Sequence, residues 1–237
     1  MSTLQGGPGS IVTDGLVLYL DAGNYLSYPG SGTTWTDLSS GGNNGTLTNG
    51  PTYSPDNAGS IVFDGVDDYI SFTSASSLIQ GQTNFTIGLT FQSDTNLVLR
   101  GLFGTLRYGC GGNIGLVSSF NNLVFYNDYG PNWPDAGTCY SVGFSNYVTS
   151  SIWIHAVATY DGTTTKVYAV KRGTLSLATG TAKTGSSNVF NYPLEIGRGG
   201  GGYHLTGKVA NAFIYNRALT TSEVLQNYNS TKGRFGL

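Results

Sequence analysis

Apolar and polar residues alternate with a period of two through several stretches of the chain. In "NFTIGLTF" the apolar positions are Phe85, Ile87, Leu89 and Phe91. The alternation recurs in "GLVLYLD" and "SIWIHAVATYD", where one face carries Leu16, Leu18 and Leu20 and then Ile152, Ile154, Ala156, Ala158 and Tyr160. Successive side chains of a strand point to opposite faces, so this pattern predicts half-buried strands. Further strands are predicted at 122–126, 165–170, 194–196 and 208–215.

Turn-forming residues separate the predicted strands. They include the pairs Asp161-Gly162 and Asn49-Gly50 and the run "GGNNG" at 41–45. Many short strands joined by glycine-rich turns are typical of a β-sandwich or jelly roll. We therefore predict an all-β fold.

One short helix is predicted near the C-terminus, in "LTTSEVLQNYN". Thr220 and Glu223 have the spacing of a capping box, in which each side chain bonds the other residue's backbone N–H. Val224, Leu225 and Tyr228 then mark one helical face.

The segment "SIVFDGVDDYISF" places three aspartates between two apolar runs. Asp64-Gly65 is predicted to form the turn of a hairpin, because Asp accepts backbone N–H bonds and Gly tolerates a positive φ. Asp67 and Asp68 follow where the chain re-enters the sheet. Two interpretations stay open, namely solvated turn carboxylates and a calcium site. An EF-hand loop is excluded, because position twelve counted from Asp64 is Ala75.

Only 10% of the 237 residues are charged, and the net charge is -2. This balance lacks the basic stripe of nucleic-acid-binding proteins, so we expect no nucleic-acid partner. No Lys or Arg precedes Arg100, whereas eight aspartates do. Since no linker separates the acidic from the basic part, we expect one domain.

No apolar run approaches the ~18 residues of a membrane span, so we expect no membrane insertion. The start "MSTLQGGPGSIVTDG" lacks a basic n-region and an apolar h-region, so we expect no signal peptide and synthesis in the cytoplasm. Cys110 and Cys139 cannot form a disulfide framework, and whether they pair is left open.

Catalytic patterns are missing from the sequence. Glycoside hydrolysis usually needs two carboxylates about 5–10 Å apart. The chain has two glutamates, Glu195 and Glu223, and no Glu-x-Asp-x-x-Glu run of the kind that jelly-roll glucanases carry. We therefore expect no enzyme activity and no catalytic residue.

His155 lies in an apolar strand, and we interpret it as a half-buried structural histidine rather than a base.

"GRGGGG" at 197–202 formally matches a dinucleotide fingerprint. The next segment, "YHLTGKV", is another predicted strand, so no helix N-terminus follows to hold a pyrophosphate. We interpret the run as a loop.

The order of motifs resembles that of laminin-G-like, concanavalin A-like jelly rolls over 11–229. The resemblance is carried by "GLVLYLDAGN", "TWTDLSSGGNNGTLTNG", "SIVFDGVDDYISF", "WIHAVATYDGTTTKVYAV" and "LEIGRGGGGYHLTGKVANAFIYNRALTTSEVLQNYN". It implies two antiparallel sheets, carbohydrate binding in many members and calcium in some. Where many members carry Ile-Asp-Asp after Gly207, this chain has Val209-Ala210-Asn211. We therefore expect no cofactor and assign no metal ligand; calcium lacks support.

Two segments, "LDAGNYLSYPGSGTTWTDLS" and "LQNYNSTKGRFGL", resemble laminin-G-like proteins of tailed bacteriophages, notably of marine and cyanobacterial hosts. This resemblance implies a non-enzymatic structural protein on the virion surface, as a capsid decoration or an appendage component. Its partners would be other virion proteins and copies of itself. The alternatives are a carbohydrate-binding adhesin module of a tail fibre, with a host-surface glycan as partner, and a polysaccharide-degrading enzyme.

We divide the chain into an N-terminal arm (1–10), a jelly-roll domain (11–229) and a C-terminal tail (230–237). The arm and the tail contain little that the sandwich could bury, so we expect them to lie against a neighbouring chain.

Any ligand contact is expected in the long irregular segment 126–147. Its aromatic, amide and carboxylate side chains suit sugar rings, and the candidate residues are Tyr129, Asn132, Trp133, Asp135 and Tyr140. The alternative role of Trp133 is packing, in a satellite core or against a subunit.

Overall fold

The structure, a computed structural model, describes residues 10–73, 75–94, 99–106, 114–127, 141–181, 187, 189, 192–200 and 202–235. Its strands are β1 (Leu16–Asp21), β2 (Thr34–Trp35), β3 (Gly45–Thr48), β4 (Thr52–Ser54), β5 (Ser60–Asp64), β6 (Tyr69–Phe72), β7 (Phe85–Ser93), β8 (Arg100–Thr105), β9 (Ile114–Ser119), β10 (Asn122–Asn127), β11 (Ser141–Phe144), β12 (Trp153–Tyr160), β13 (Thr164–Lys171), β14 (Thr174–Thr181), β15 (Leu194–Ile196), β16 (Arg198–Gly199), β17 (Tyr203–His204) and β18 (Thr206–Tyr215). One α-helix, α1 (Thr221–Thr231), follows them. Short 3₁₀ turns span Asp56–Ala58, Ala75–Leu78 and Lys232–Arg234.

The strands form two large antiparallel sheets. Sheet I has the order β14-β13-β12-β7-β18-β5-β4, and β1 also pairs with β18. Sheet II has the order β11-β10-β9-β8-β15-β6-β3-β2. The predicted all-β, two-sheet jelly roll with one short C-terminal helix is confirmed.

The main core fills the space between the sheets. Alternate side chains of β7 and β12, such as Ile87, Leu89 and Ile154, contribute to it and are fully buried. The opposite face of these strands is buried as well, since Thr86 and Thr90 are almost inaccessible. Helix α1 and the segment before β1 cover this outer face of sheet I, which makes the domain three layers thick.

Helix α1 begins as its capping box predicts. The Thr220 hydroxyl accepts the Glu223 N–H, and the Glu223 carboxylate accepts the Thr220 N–H at 2.8 Å. Arg217 binds the same carboxylate with both terminal guanidinium nitrogens, at 3.0 and 2.7 Å. Of the predicted helical face, Val224 and Tyr228 are buried, whereas Leu225 is half-buried. Among the described residues, no helix is long and apolar enough to cross a membrane.

The described part of the C-terminal tail packs on its own domain. The Phe235 ring lies 4.8 Å from that of Trp153, centroid to centroid, and is almost buried. The Arg234 guanidinium forms an ion pair with Asp21 at 2.7 Å. The tail was expected to lie against a neighbouring chain. As far as Phe235, it instead packs on its own domain. The division of the chain at 10–11 and 229–230 stays a prediction, although α1 crosses the second boundary.

The turn between β5 and β6 corrects one prediction. The Asp64 carboxylate accepts the Val66 N–H at 2.8 Å, as expected for an Asp-initiated turn. The two strands do not form the predicted hairpin, however, because β5 lies in sheet I and β6 in sheet II. The turn instead carries the chain from one sheet to the other.

Candidate functional site

The five ligand candidates from the sequence, Tyr129, Asn132, Trp133, Asp135 and Tyr140, lie outside the described residues, as do Cys110 and Cys139. The residues that flank this segment are described. Asn127 ends β10 and Ser141 begins β11, at one end of sheet II. The assignment of the five residues stays a prediction.

A row of register partners crosses the outer face of sheet II next to that end. In order, the pairs are Thr46 with Ser71, Ser71 with Glu195, Glu195 with Gly104, Gly104 with Gly115, Gly115 with Tyr126, and Tyr126 with Ser141. Residues directly opposite on neighbouring strands share a face. The sequence neighbours of Glu195, namely Leu194 and Ile196, are in the core. Glu195 and its row therefore face away from it.

The two glycines form the floor of the row. A Cβ atom at Gly104 would overlap the Ile114 carbonyl oxygen, and one at Gly115 would crowd the Phe103 carbonyl oxygen. Larger residues are therefore excluded at both positions, and both glycines are buried. We call the outward-facing row of Ser71, Glu195, Gly104, Gly115 and Tyr126 the Glu195 groove.

A hairpin borders one side of the groove. The glycine run expected to be a loop contains β16, which pairs with β17 directly after the run. The backbone of Arg198 lies so close to Gly101 that a Cβ atom on Gly101 would overlap the Arg198 carbonyl group. As the sequence indicated, a strand (β18) and not a helix follows, so no dinucleotide site forms.

The charged pair in the groove is Glu195 with Arg198, whose closest atoms are 3.1 Å apart. The Glu195 side chain is 9% exposed, against 42% for Arg198. Burial raises the pKa of the Glu195 carboxyl, and the guanidinium of Arg198 partly offsets this rise. Arg198 also lies over the Tyr69 ring, 4.7 Å from its centroid. The pair offers a nearly buried acceptor beside accessible donors.

From the sequence, Glu195 was expected to be only a glutamate without a catalytic partner, and Arg198 was assigned no role. One signal was available, because in "LEIG" the glutamate alternates with two core residues and so must face away from the core. Its groove neighbours could not be read in this way. They lie on β6, β8, β9 and β10. The alternation within one strand does not show which distant strands pair with it.

The acidic segment gathers its carboxylates in space. Ligand atoms of Asp64, Asp67 and Asp68 all lie within 4.8 Å of one another. Asp68 is almost buried and accepts the Asp64 N–H at 3.0 Å. Burial raises the pKa of Asp68, and the two neighbouring carboxylates add to the rise. This spacing fits a hard cation, but turn hydrogen bonds already use part of the oxygens.

His155 is more buried than the sequence suggested, with 2% of its surface exposed. Nδ1 lies 2.9 Å from the Thr90 hydroxyl, whereas Nε2 has no hydrogen-bond partner. Burial lowers the pKa of His155 to about 4. The residue is therefore neutral near pH 7 and sealed under α1, where Tyr228 packs on it.

A known protein-family model matches most of the chain. The model of the Concanavalin A-like lectin/glucanases superfamily matches residues 63–225, more than half of the chain. The chain belongs to this superfamily. Its lectin-like jelly-roll fold agrees with the resemblance found in the sequence. A search among curated proteins finds no match for it.

Solved structures show the same fold at low identity. Trypanosoma rangeli sialidase in complex with the inhibitor DANA is 20% identical, with a TM-score of 0.60, over 96% of this chain and 34% of that one. The binding domain of Paraclostridial Mosquitocidal Protein 1 is 17% identical, with a TM-score of 0.65, over 94% and 55%. This chain thus spans about a third to a half of these structures.

A third similar structure is matched over its full length. It is Domain 4 of AbnA, a GH43 extracellular arabinanase from Geobacillus stearothermophilus, in complex with arabinotriose. The identity is 16% and the TM-score 0.59, over 92% of this chain and 100% of that one. At such identities the likeness concerns the fold, which occurs in binding domains and in sialidases.

Proposed function

We propose that this chain is a non-catalytic, lectin-like protein on the outside of a phage virion, and that it binds a host-surface glycan in the Glu195 groove. Other virion proteins and further copies of the chain are its proposed assembly partners. Function depends on the site rather than the fold, so the proposal rests on the groove and its chemistry.

The observation that carries it is a single carboxylate. Among the described strand residues on the outer face of sheet II, Glu195 is the one acidic side chain. Glycoside hydrolysis usually needs a second carboxylate across the bond. One nearly buried acceptor paired with a guanidinium suits the binding of sugar hydroxyl groups and not the hydrolysis of a glycosidic bond.

The groove matches the surface of a sugar chain. Glu195 accepts hydroxyl protons, Arg198 donates to hydroxyl oxygens, and Ser71 can do either. At the far end, Tyr126 offers an aromatic ring of the kind that sugars stack on.

A glycan array probed with the intact protein tests glycan binding. We expect binding to at least one glycan, and a clear loss for Glu195→Gln, which removes the charge but keeps the shape. Ser71→Tyr should also block binding by filling the groove. Thr179→Tyr, an equal change at an exposed position of β14 in sheet I, is the matched control.

Two results would contradict the proposal. The absence of binding to any glycan would remove the lectin role and leave a purely structural one. Release of reducing ends from host capsular or lipopolysaccharide sugars, lost on Glu195→Gln, would instead identify an enzyme.

The five candidates on 128–140 are retained as part of the proposal, because the segment starts and ends next to the groove. For Trp133→Ala we expect weaker glycan binding with an almost unchanged melting temperature. If the ring packs in a core, the same change should destabilise the domain by about 3–5 kcal/mol.

The virion location is supported by the sequence resemblance to phage proteins. A cryo-EM map of the intact particle tests it, with antibody labelling of the chain as a second readout. A position on the capsid would identify a decoration protein, and a distal tail position an adhesin. Absence of the chain from purified particles would refute the location.

A further inference from the structure

A pocket lies on the outer face of sheet I, on the other side of the sandwich from the Glu195 groove. It has a volume of about 460 Å³ and lies between β1, the loop at 23–25 and the end of α1. Ligand pockets of about 300–1,000 Å³ hold small molecules, and this volume suits one or two sugar rings.

Two buried side chains of β1 line the inner part of the pocket. The Tyr19 hydroxyl donates to Oδ2 of Asp21 at 3.2 Å, so the phenolic oxygen keeps its acceptor capacity. Burial raises the pKa of Tyr19 well above its ordinary value, and the neighbouring carboxylate adds to this. The phenol is therefore protonated and neutral at any physiological pH.

The charges in the pocket are already used within the protein. Arg234 donates to Asp21 at 2.7 Å and to the carbonyl oxygens of Asn57, Ala58 and Gly59 at 3.2–3.3 Å. A ligand anion would have to compete with these bonds, and a ligand cation would have to displace Arg234. The pocket therefore favours a neutral ligand.

The rim adds one aromatic ring and several small polar groups. Tyr25 is 76% exposed. The Asn24 side-chain oxygen accepts the Leu26 N–H, whereas its nitrogen makes no hydrogen bond within the described residues. The hydroxyls of Ser230 and Thr231 donate to helix carbonyls, which leaves their oxygens as acceptors.

From this arrangement we propose that the pocket is a second glycan site that binds a neutral sugar unit, with Tyr25 stacked on the ring. Sugar hydroxyls donate to the oxygens of Tyr19, Ser230 and Thr231, and the Asn24 amide donates to a sugar oxygen. The site shares no residue with the groove and does not depend on it.

The test is an NMR titration of the full ¹⁵N-labelled chain with glucose, galactose, mannose, N-acetylglucosamine, lactose and cellobiose. We expect at least one sugar to shift the backbone amide resonances of Gly23 and Tyr25. Tyr25→Ala should weaken that binding about fivefold or more, as loss of an aromatic contact does. Leu26→Ala, an exposed neighbour that does not line the pocket, should leave it unchanged, as should Glu195→Gln.

Three results would overturn the second site. They are no shift at Gly23 and Tyr25 with any of the six sugars, equal affinity of Tyr25→Ala and the wild type, and loss of the shifts in Glu195→Gln. Because Tyr25 is exposed, the variant should stay folded, and an unchanged melting temperature checks this. Failure of the groove variants on the glycan array would not affect the result.

Discussion

Replacing Arg234 by methionine should destabilise the domain, because the side chain joins three separate segments. It binds Asp21 of β1 and three backbone carbonyls of 57–59, and the two charged side chains are 18% and 12% exposed. Exposed ion pairs contribute about 0.2–1 kcal/mol, whereas breaking a buried pair costs about 3–5 kcal/mol. This pair lies between these limits, so we expect a loss of about 2–3 kcal/mol.

Urea unfolding, with the midpoint and the m-value fitted together, measures this loss. For a chain of this length it corresponds to a fall in melting temperature of roughly 5–10 °C. Arg172→Met is the matched control, because Arg172 is exposed and forms no ion pair among the described residues. Its free energy of unfolding should change by less than about 0.5 kcal/mol.

A double-mutant cycle with Asp21→Asn separates the ion pair from the carbonyl contacts. We expect a coupling energy of about 1–2 kcal/mol between Arg234 and Asp21. A loss below about 1 kcal/mol for Arg234→Met, or a coupling energy near zero, would refute the view that the tail is part of the domain.

The remaining predictions concern acid stability and the acidic turn. Arg217 and the Thr220 capping contacts lower the pKa of Glu223 to about 2, so its stabilisation is complete above the unfolded pKa of about 4.5 and is lost as the pH falls toward 2. Glu223→Gln should therefore cost about 2 kcal/mol at pH 7 and almost nothing at pH 2, as urea titrations at both pH values would reveal. His155, which is buried as the neutral form, stabilises the fold fully above pH 6.5 and loses this contribution as the pH falls toward 4. His155→Leu should remove that pH dependence, whereas an unchanged slope would contradict it. Asp67→Asn relieves repulsion with Asp64 and Asp68 and should raise the melting temperature slightly without calcium. A calcium-induced rise in melting temperature that this variant lacks would instead identify a calcium site.

Local order in this protein could be predicted well from the sequence. Alternation located β7, β12 and β13, and the capping box located the start of α1. These features depend on neighbours within a few residues, so the sequence pattern contains them. Asn227 is an exception, because it is a polar residue on the buried face of α1, where it accepts the Val12 N–H and donates to the Tyr215 hydroxyl. No local pattern marks such a residue.

The groove could not be predicted, because its members come from five strands spread over more than 100 residues. Alternation shows that Ser71, Glu195 and Tyr126 face away from the core, but it does not say which strands are neighbours. The error about the β5–β6 hairpin has the same cause. A turn signal at Asp64-Gly65 marks a change of direction and does not reveal that the chain changes sheets.

The pairing of the first strand with the last has a consequence for how the domain folds. β1 pairs along β18, and the Tyr215 hydroxyl donates to the Val12 carbonyl, 203 residues away in sequence. During synthesis β1 therefore emerges first and must wait for almost the whole chain before its partner exists. Sequence-distant pairing of this kind slows folding and leaves an edge open to other chains. A chain that stops before β18 would lack the strand that pairs with one side of β7, and it would also lack helix α1, which covers sheet I. The two sheets can therefore pack together only after β18 and α1 have left the ribosome.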